Sequence, residues 1–385
     1  MDHHPSRNHH VDNLRGIAIS CVLLLHFALA YGVKDSPLGT LLPPWLLKSL
    51  VWNGNYGVTM FFVVSGFLIT SQSLRRWGSL AAIDIRAFYV FRFARIMPML
   101  LLALAIIVAL GCLGLPYFIN KDHGQAMPAS FFLVAAGSVL TFWHNLLMQQ
   151  VGYFNYSLNV YWSLSVEEVF YLALPLLCVC LRRVSLLTLC CALLIVVAPI
   201  YRGQHADNEI DYLYGYLACF DAIAIGCLAA LIARRRPLLG RAARLLRWVG
   251  GLLLAFNYLR GFSGHEAFGF TWLALSAALF LLGAAADPTL RGGSERLSRP
   301  LRWLGRHSYE IYLFHIIVLA LLRNLVPREA VGYWTRLPLF IGFLLLTVLV
   351  AGLIGRYLAE PLNRGIRNRY LNRRGPAAAA SLPSR

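Results

Sequence analysis

Arg15 and His26 sit eleven residues apart in LRGIAISCVLLLHF, residues 14–27, at either end of an apolar stretch. Along a helix that step advances roughly 16 Å and closes about three turns, so the cation and the imidazole share one face. An ionisable group held inside a membrane span is costly and suggests function by default. A neutral imidazole can accept a proton from a hydroxyl, which suits general-base work. Two plainer readings stand beside this one: a histidine satisfied by a neighbouring helix, and an arginine that anchors a helix end.

Six other stretches carry candidate chemistry. In YWSLSVEEVFYLALP, residues 161–175, the adjacent acids Glu167 and Glu168 fall about two turns into an apolar run. At least one must face the interior of a bundle, with Trp162 and Ser163 near it, unless the pair serves only a buried ion pair. In FFVVSGFLIT, residues 61–70, Ser65 and Gly66 let another helix or a ligand approach closely. Arg92 and Arg95, three apart before Pro98, lie on one helical face and suit phosphates, lipid headgroups or a topological role. Later runs add Asp221, Glu310, His315 and Glu360, of which Asp221 and His315 are intramembrane and Glu360 is expected to pair with a basic loop.

The elements that must position these residues are membrane helices. Of 385 residues, 58% are hydrophobic and 14% charged, with mean hydropathy +0.62, which excludes an ordinary soluble domain. The net charge of +18 does not point to nucleic acid, because the basic residues fall in short loops between apolar runs. Ten spans are expected, at 14–31, 56–74, 96–116, 158–181, 186–201, 212–233, 248–261, 267–286, 308–325 and 337–358. An eleventh apolar stretch, 129–148, carries His144 and Asn145 and is expected to be interfacial or re-entrant. With ten crossings and both termini in the cytoplasm, 27 of the 35 basic residues fall inside and eight outside, as the positive-inside rule requires.

The expected organisation is therefore an all-α polytopic membrane domain over 14–363. Disordered cytoplasmic tails are expected at 1–13, which carries His3, His4, His9 and His10, and at 364–385. The first span reads as a retained signal anchor, and no soluble catalytic domain is expected to be appended. The cysteines fall in apolar runs and read as small packing residues, with no disulfide framework and no metal site. No internal repeat points to a transporter architecture.

Taken together these residues resemble the acyltransferase-3 family of integral membrane O-acyltransferases. The resemblance covers roughly 11–363. It rests on Arg15 with His26, FFVVSGFLIT, Arg92-x-x-Arg95, WSLSVEE, FDAIAIG, SYEIYLFH and Glu360–Pro361, in that order. The glutamine usual after the two acids is Val169 here. The resemblance implies about ten helices in a bacterial inner membrane and an acyl-CoA co-substrate, usually acetyl-CoA, reached from the cytoplasm, with no permanently bound cofactor. It implies a carbohydrate acceptor such as O-antigen, exopolysaccharide or peptidoglycan. Other members acylate small molecules such as antibiotics, and members with an SGNH-like domain pass the acyl group to it. This chain is thus expected to act alone or with a separate extracytoplasmic transferase.

On that reading Arg92, Arg95 and Arg15 hold the nucleotide end of the donor, and its arm passes Ser65–Gly66 toward His26. His26 takes the proton of the acceptor hydroxyl or carries the acyl group itself. Glu167 orients or charges the imidazole, or holds the sugar. A rival class is a proton-coupled transporter or flippase, whose relay would use the same intramembrane His, Glu and Asp. Acceptor choice is expected to rest on outer loops 32–55 and 117–157, whose Trp45, Trp52, Tyr117, Tyr153 and Tyr156 either stack on sugars or mark the membrane interface.

Overall fold

A computed structural model describes residues 8–236, 240–286 and 296–374. Long apolar runs with no water to satisfy their backbones must close their hydrogen bonds internally, and the chain does so as helices. The long ones are α1 (His9–Tyr31), then, after the short α2 (Pro37–Leu41) and α3 (Pro44–Trp52), α4 (Tyr56–Trp77) and α5 (Ile85–Cys112). A two-stranded antiparallel hairpin, Lys121–Asp122 with Gln125–Ala126, and the short α6 (Phe131–Leu140) and α7 (His144–Val151) follow. Then come α8 (Trp162–Leu181), α9 (Val184–Gln204), the short α10 (Glu209–Tyr214), α11 (Tyr216–Arg235), α12 (Gly240–Arg260) and α13 (Glu266–Ala285). The chain ends with the short α14 (Arg299–Arg306), α15 (Ser308–Leu325), α16 (Arg336–Ile354), a π turn at Gly355–Ala359 and α17 (Glu360–Arg373).

Among the described residues nine helical segments are long and apolar enough to cross a membrane, so the protein is an all-α polytopic membrane protein. The tenth expected span, 248–261, lies in α12. Arg241, Arg244 and Arg247 occupy its first turns and shorten its apolar run. Packing nevertheless sets it alongside a spanning helix. Arg247 meets Gly283 of α13, Gly250 meets Phe280, and Asn257 Nδ2 donates to Ser276 Oγ at 3.0 Å, so α12 runs antiparallel to α13 along most of its length. The stretch 129–148 does not cross: α6 has 10 residues and α7 has 8, and Phe142 (φ 63°) turns the chain between them. His144 of α7 is buried against Ser138 Oγ at 2.8 Å, and that burial pushes its imidazole down to about 4.

Both ends of the described chain lie at one end of the bundle. Gly305 of α14 packs on Asp12 of α1, and Gly352 and Gly355 near the close of α16 pack on Trp303 and His307. An even number of passes follows. The tails are shorter than expected. Asn8 caps α1, accepting from His10 N at 3.0 Å and Val11 N at 3.2 Å. Arg247 donates to His10 Nε2 at 2.8 Å, and Arg306 pairs with Asp12 at 3.3 Å, so residues 9–13 are fixed in the first helix. At the other end α17 packs on α5 through Tyr370 against Phe91 and an Arg374–Asp84 ion pair, so 364–373 are helical too. Residues 1–7, with His3 and His4, and 375–385 lie outside the described residues.

Helix α4 is the packing centre. A Cβ on Gly57 would come 2.4 Å from the Ala18 carbonyl oxygen of α1, and one on Gly54, just before α4, 2.5 Å from that of Cys21. On another face, a Cβ on Gly66 would come 2.0 Å from Ile223 O of α11, and one on Gly226 would come 2.1 Å from Val63 O. The two backbones touch, as small residues permit in membrane helices. Helices α9 and α16 lie outside, with Leu193, Val196, Leu345 and Leu349 exposed in the manner of lipid-facing residues. Gly66→Val should cost about 1–3 kcal/mol through overpacking against the α11 backbone. Thermal melting of the purified chain in detergent checks this, with Gly342→Ala in α16, which meets no neighbour, as the milder comparison.

Candidate functional site

The ends of α1 are each met by one stripe of α15. Arg15 donates to Ser308 Oγ at 2.8 Å, and the His26 ring lies 4.9 Å from that of His315, centroid to centroid. Ser308, Tyr312 and His315 are spaced four and three residues apart, so α15 presents them on a single face. His26 Nδ1 lies 2.9 Å from Val22 O one turn back. A carbonyl can only accept, so Nδ1 carries the proton and Nε2 keeps its lone pair. His315 repeats this arrangement, with Nδ1 2.8 Å from Tyr312 O. Its Nε2 is buried with no partner among the described residues.

A cavity opens between α1, α4, α5, α8 and α15. Its wall brings together Arg15, Ser65, Arg92, Arg95, Ser163, Glu167 and Glu168. Glu167 accepts from Ser65 Oγ and from Tyr171 OH, the latter at 2.5 Å. Arg92 lies 3.4 Å over the Tyr171 ring, a cation–π contact that holds its guanidinium against the wall. Glu168 is 7% exposed, and its Oε1 has no protein partner among the described residues. Both acids therefore face the interior, where one was the minimum expected.

The structure separates other candidates from this cavity. Gly66 does not line it; the glycine is spent on the α11 backbone, so the expected path past Ser65–Gly66 has only Ser65 on it. Glu167 does not orient His26, whose Nδ1 is taken by Val22 O. His26 and His315 lie beyond the cavity wall. Tyr312 stands between: it lines the cavity, and its ring is 5.8 Å from that of His315. Its hydroxyl is held by Ser163 Oγ at 2.6 Å and by Val160 O. Trp162 turns away from the two acids, to a second and smaller cavity. Glu310 sits beside Gly355 of the π turn, outside the cavity. Glu360 pairs with Arg364 at 2.7 Å on the surface, the basic partner expected for it.

Asp221 has a structural duty. It forms a two-point pair with Arg202 of α9, at 2.9 and 3.2 Å, and accepts from Thr271 Oγ1 at 2.6 Å and from Ala222 N at 2.8 Å. Arg202 also donates to the carbonyls of Ala267 and Ala218. Both side chains are sealed, 0% and 1% exposed, and join α9, α11 and α13. Sequence reasoning set Arg202 in an outer loop and so missed its partner. It also missed Tyr171, Tyr309, Tyr312 and Ser308 on the cavity wall. Three of these stand inside SYEIYLFH, and Tyr171 is one helical turn after Glu167, so the periodicity held the signal.

A membrane bundle with one large cavity, lined by arginines and carboxylates and backed by a histidine pair, is suited to binding an anionic substrate and moving a proton. The acyltransferase-domain family model matches residues 8–356, and the chain belongs to that family. Peptidoglycan O-acetyltransferase OatA of Listeria monocytogenes is 26% identical over 386 residues, covering 94% of this chain and 56% of that protein. O-acetyltransferase OatA of Staphylococcus aureus is 25% identical over 380 residues, covering 92% and 57%. The putative peptidoglycan O-acetyltransferase YrhL of Bacillus subtilis is 27% identical over 343 residues, covering 80% and 51%. The chain spans about half the length of the curated relatives it matches. No solved structure matches it.

Arg202→Leu leaves Asp221 buried without its cation and should destabilise the bundle by about 3–5 kcal/mol. The double variant Arg202→Leu, Asp221→Leu should recover part of that loss. Melting curves of the three proteins in one detergent check both expectations.

Proposed function

We propose that this chain is a membrane O-acetyltransferase that moves an acetyl group from acetyl-CoA to a hydroxyl of a cell-surface glycan. The observation that carries the reading is the pairing of the cationic cavity with His26. Arg15, Arg92 and Arg95 line the cavity toward one end of α1, and the free nitrogen of His26 lies roughly 16 Å further along the same helix. The family match supplies the reaction class. Peptidoglycan is the acceptor in the names of the Listeria and Bacillus relatives, and it is the acceptor we favour.

The excess of basic residues at the Arg15 end orients that end to the cytoplasm of a bacterial inner membrane. Guanidinium forks suit the donor's phosphates better than ammonium groups do, because they bind two oxygens at once. Glu167, already accepting from Ser65 and Tyr171, fixes the polar wall. Glu168, on the same wall and with its Oε1 lacking a protein partner among the described residues, accepts from an amide N–H of the donor's arm.

His26 Nε2 then removes the proton of the acceptor hydroxyl as its oxygen attacks the thioester carbonyl. The C–S bond breaks, and the thiolate takes the proton held by His26 and leaves as CoA. If Nε2 attacks first, the acetyl group rests on His26 and the acceptor oxygen displaces it in a second step. In either order His315 packs its ring against that of His26, with its Nδ1–H committed to its own helix.

The test uses the full chain in lipid nanodiscs with labelled acetyl-CoA and a glycan acceptor. General-base removal is worth about 10²–10⁴ in rate, so His26→Ala should lower transfer at least that far while acetyl-CoA still binds. Arg92→Leu should instead raise the KM for acetyl-CoA about tenfold or more, as loss of a charge-assisted bond requires. A folded His26→Ala protein with undiminished transfer would refute the assignment. Glycan movement across vesicles without any acyl donor would favour the flippase class.

A further inference from the structure

Helix α4 runs antiparallel to α1, since Gly54 faces Cys21 and Gly57 faces Ala18, so its later residues pass Arg15 and lead away from His26. Gln72 is the last of them on the cavity wall and is exposed, which places the cavity's opening at that level. On α5, which returns after a short turn, Arg95 lines the same wall. One turn on from Gln72 stands Arg76, and one turn back from Arg95 stands Phe91, so each helix carries its cavity-facing stripe past the opening. There the two meet: the Arg76 guanidinium lies 4.1 Å from the centroid of the Phe91 ring. A second guanidinium, from Arg367 of α17, lies 4.8 Å from the same centroid. Arg367 stands past residue 356, where the family model's match ends.

A ring attracts a cation, but two like charges gathered on one ring repel each other. The acid at this end of the bundle, Asp84, is engaged by Arg374 and by Ala87 N. Arg76 forms no ion pair among the described residues. Beside it, with the ring centroid 5.8 Å from the Arg76 guanidinium, Trp77 keeps an Nε1–H that is shielded from solvent and donates to nothing among the described residues. A water would answer the indole N–H but would leave the positive charge as it stands. The group that suits this mouth carries negative charge, accepts several hydrogen bonds and donates none, which describes a phosphate. The donor of the reading above carries phosphate at two places on one ribose, a pyrophosphate at the 5′ oxygen and a separate phosphate at the 3′ oxygen. The span between them is close to one helical turn, roughly 5.4 Å. With the pyrophosphate on Arg92 and Arg95, the 3′-phosphate falls one turn further out.

We propose that Arg76 and Arg367, braced on Phe91 with the Trp77 N–H beside them, form a subsite for the 3′-phosphate of the CoA donor at the cytoplasmic mouth of the cavity. The assignment of that phosphate to CoA rests on the O-acetyltransferase reading above. A lipid headgroup offers the same phosphate chemistry, and the test separates the two sources.

The experiment titrates CoA, and separately dephospho-CoA, which lacks only the 3′-phosphate, into the full chain in phosphatidylcholine nanodiscs and reads the heat. The unaltered chain should bind CoA about tenfold more tightly, the worth of one charge-assisted bond. Arg76→Leu and Arg367→Leu should each weaken CoA about tenfold and leave dephospho-CoA within about twofold, so the preference disappears. Because dephospho-CoA uses the rest of the site, its retention separates a lost phosphate contact from misfolding. Arg76→Lys, which keeps the charge without the fork, should keep part of the preference. Arg364→Leu, on the same α17 but 58% exposed and paired with Glu360, should change neither affinity. Equal binding of the two ligands by the unaltered chain, or no binding of either, overturns the proposal. So does a preference that survives both leucine variants, or a loss in those variants that falls on both ligands alike. A preference that vanishes when phosphatidylglycerol replaces part of the phosphatidylcholine also overturns it, since the subsite then holds lipid. A preference lost in the leucine variants, with no acetyl transfer from acetyl-CoA by the unaltered chain, upholds the subsite and overturns the acetyltransferase reading instead.

Discussion

A charge carried into a bilayer has no water to meet it, so the protein must supply every partner itself. This bundle answers that constraint in two ways. Around Arg202 and Asp221 the answer is closed: the two charges bond each other at two points, and two carbonyls, a hydroxyl and a backbone N–H meet the rest. Around Arg15, Arg92, Glu167 and Glu168 the answer is open: the groups line a cavity, and Glu168 Oε1 and Arg92 Nε still lack protein partners among the described residues. The two arrangements use the same residue types. What separates structure from site is whether the polar groups are already satisfied.

The open arrangement needs rigid walls, and α4 supplies them. Its backbone touches α1 at Gly57 and α11 at Gly66, contacts too close for any larger side chain. With those faces fixed, the faces left over carry Ser65 and Leu68 to one cavity and Thr59 to the other, while Phe62 reaches both. A glycine that seemed equally suited to a ligand or a helix is thus used for the helix. The serine beside it, about 100° around the same turn, takes the ligand side.

Much of this was legible in the sequence, and the exceptions share a cause. Hydropathy placed the spans, since twenty apolar residues admit few alternatives. It fell short at α12, where arginines enter the first turns and packing on α13 decides the position. It also cut the tails too early, because the polar residues His10, Asp12 and Arg374 are held by partners hundreds of positions away or on another helix. Spacing along one helix identified Arg15 with His26 and Ser163 with Glu167. Spacing is silent about which helix stands opposite. So Asp221 was visible without Arg202, and His26 without the His315 that lies against it.

The α1–α15 contact shows how much that opposite helix decides. Both helices run in the same direction, so Ser308 meets Arg15 at one end and His315 meets His26 at the other. Between them α15 sets Tyr312, whose hydroxyl gives its proton to Val160 O and receives that of Ser163. The ring is therefore fixed between the cavity and the imidazoles. Each histidine spends its Nδ1 proton on its own helix, so neither Nε2 can be satisfied by the other: both are acceptors. A buried ring nitrogen left open, as His315 Nε2 is among the described residues, calls for a donor. A hydroxyl is such a donor, and its proton is the one that an O-acyl transfer must remove.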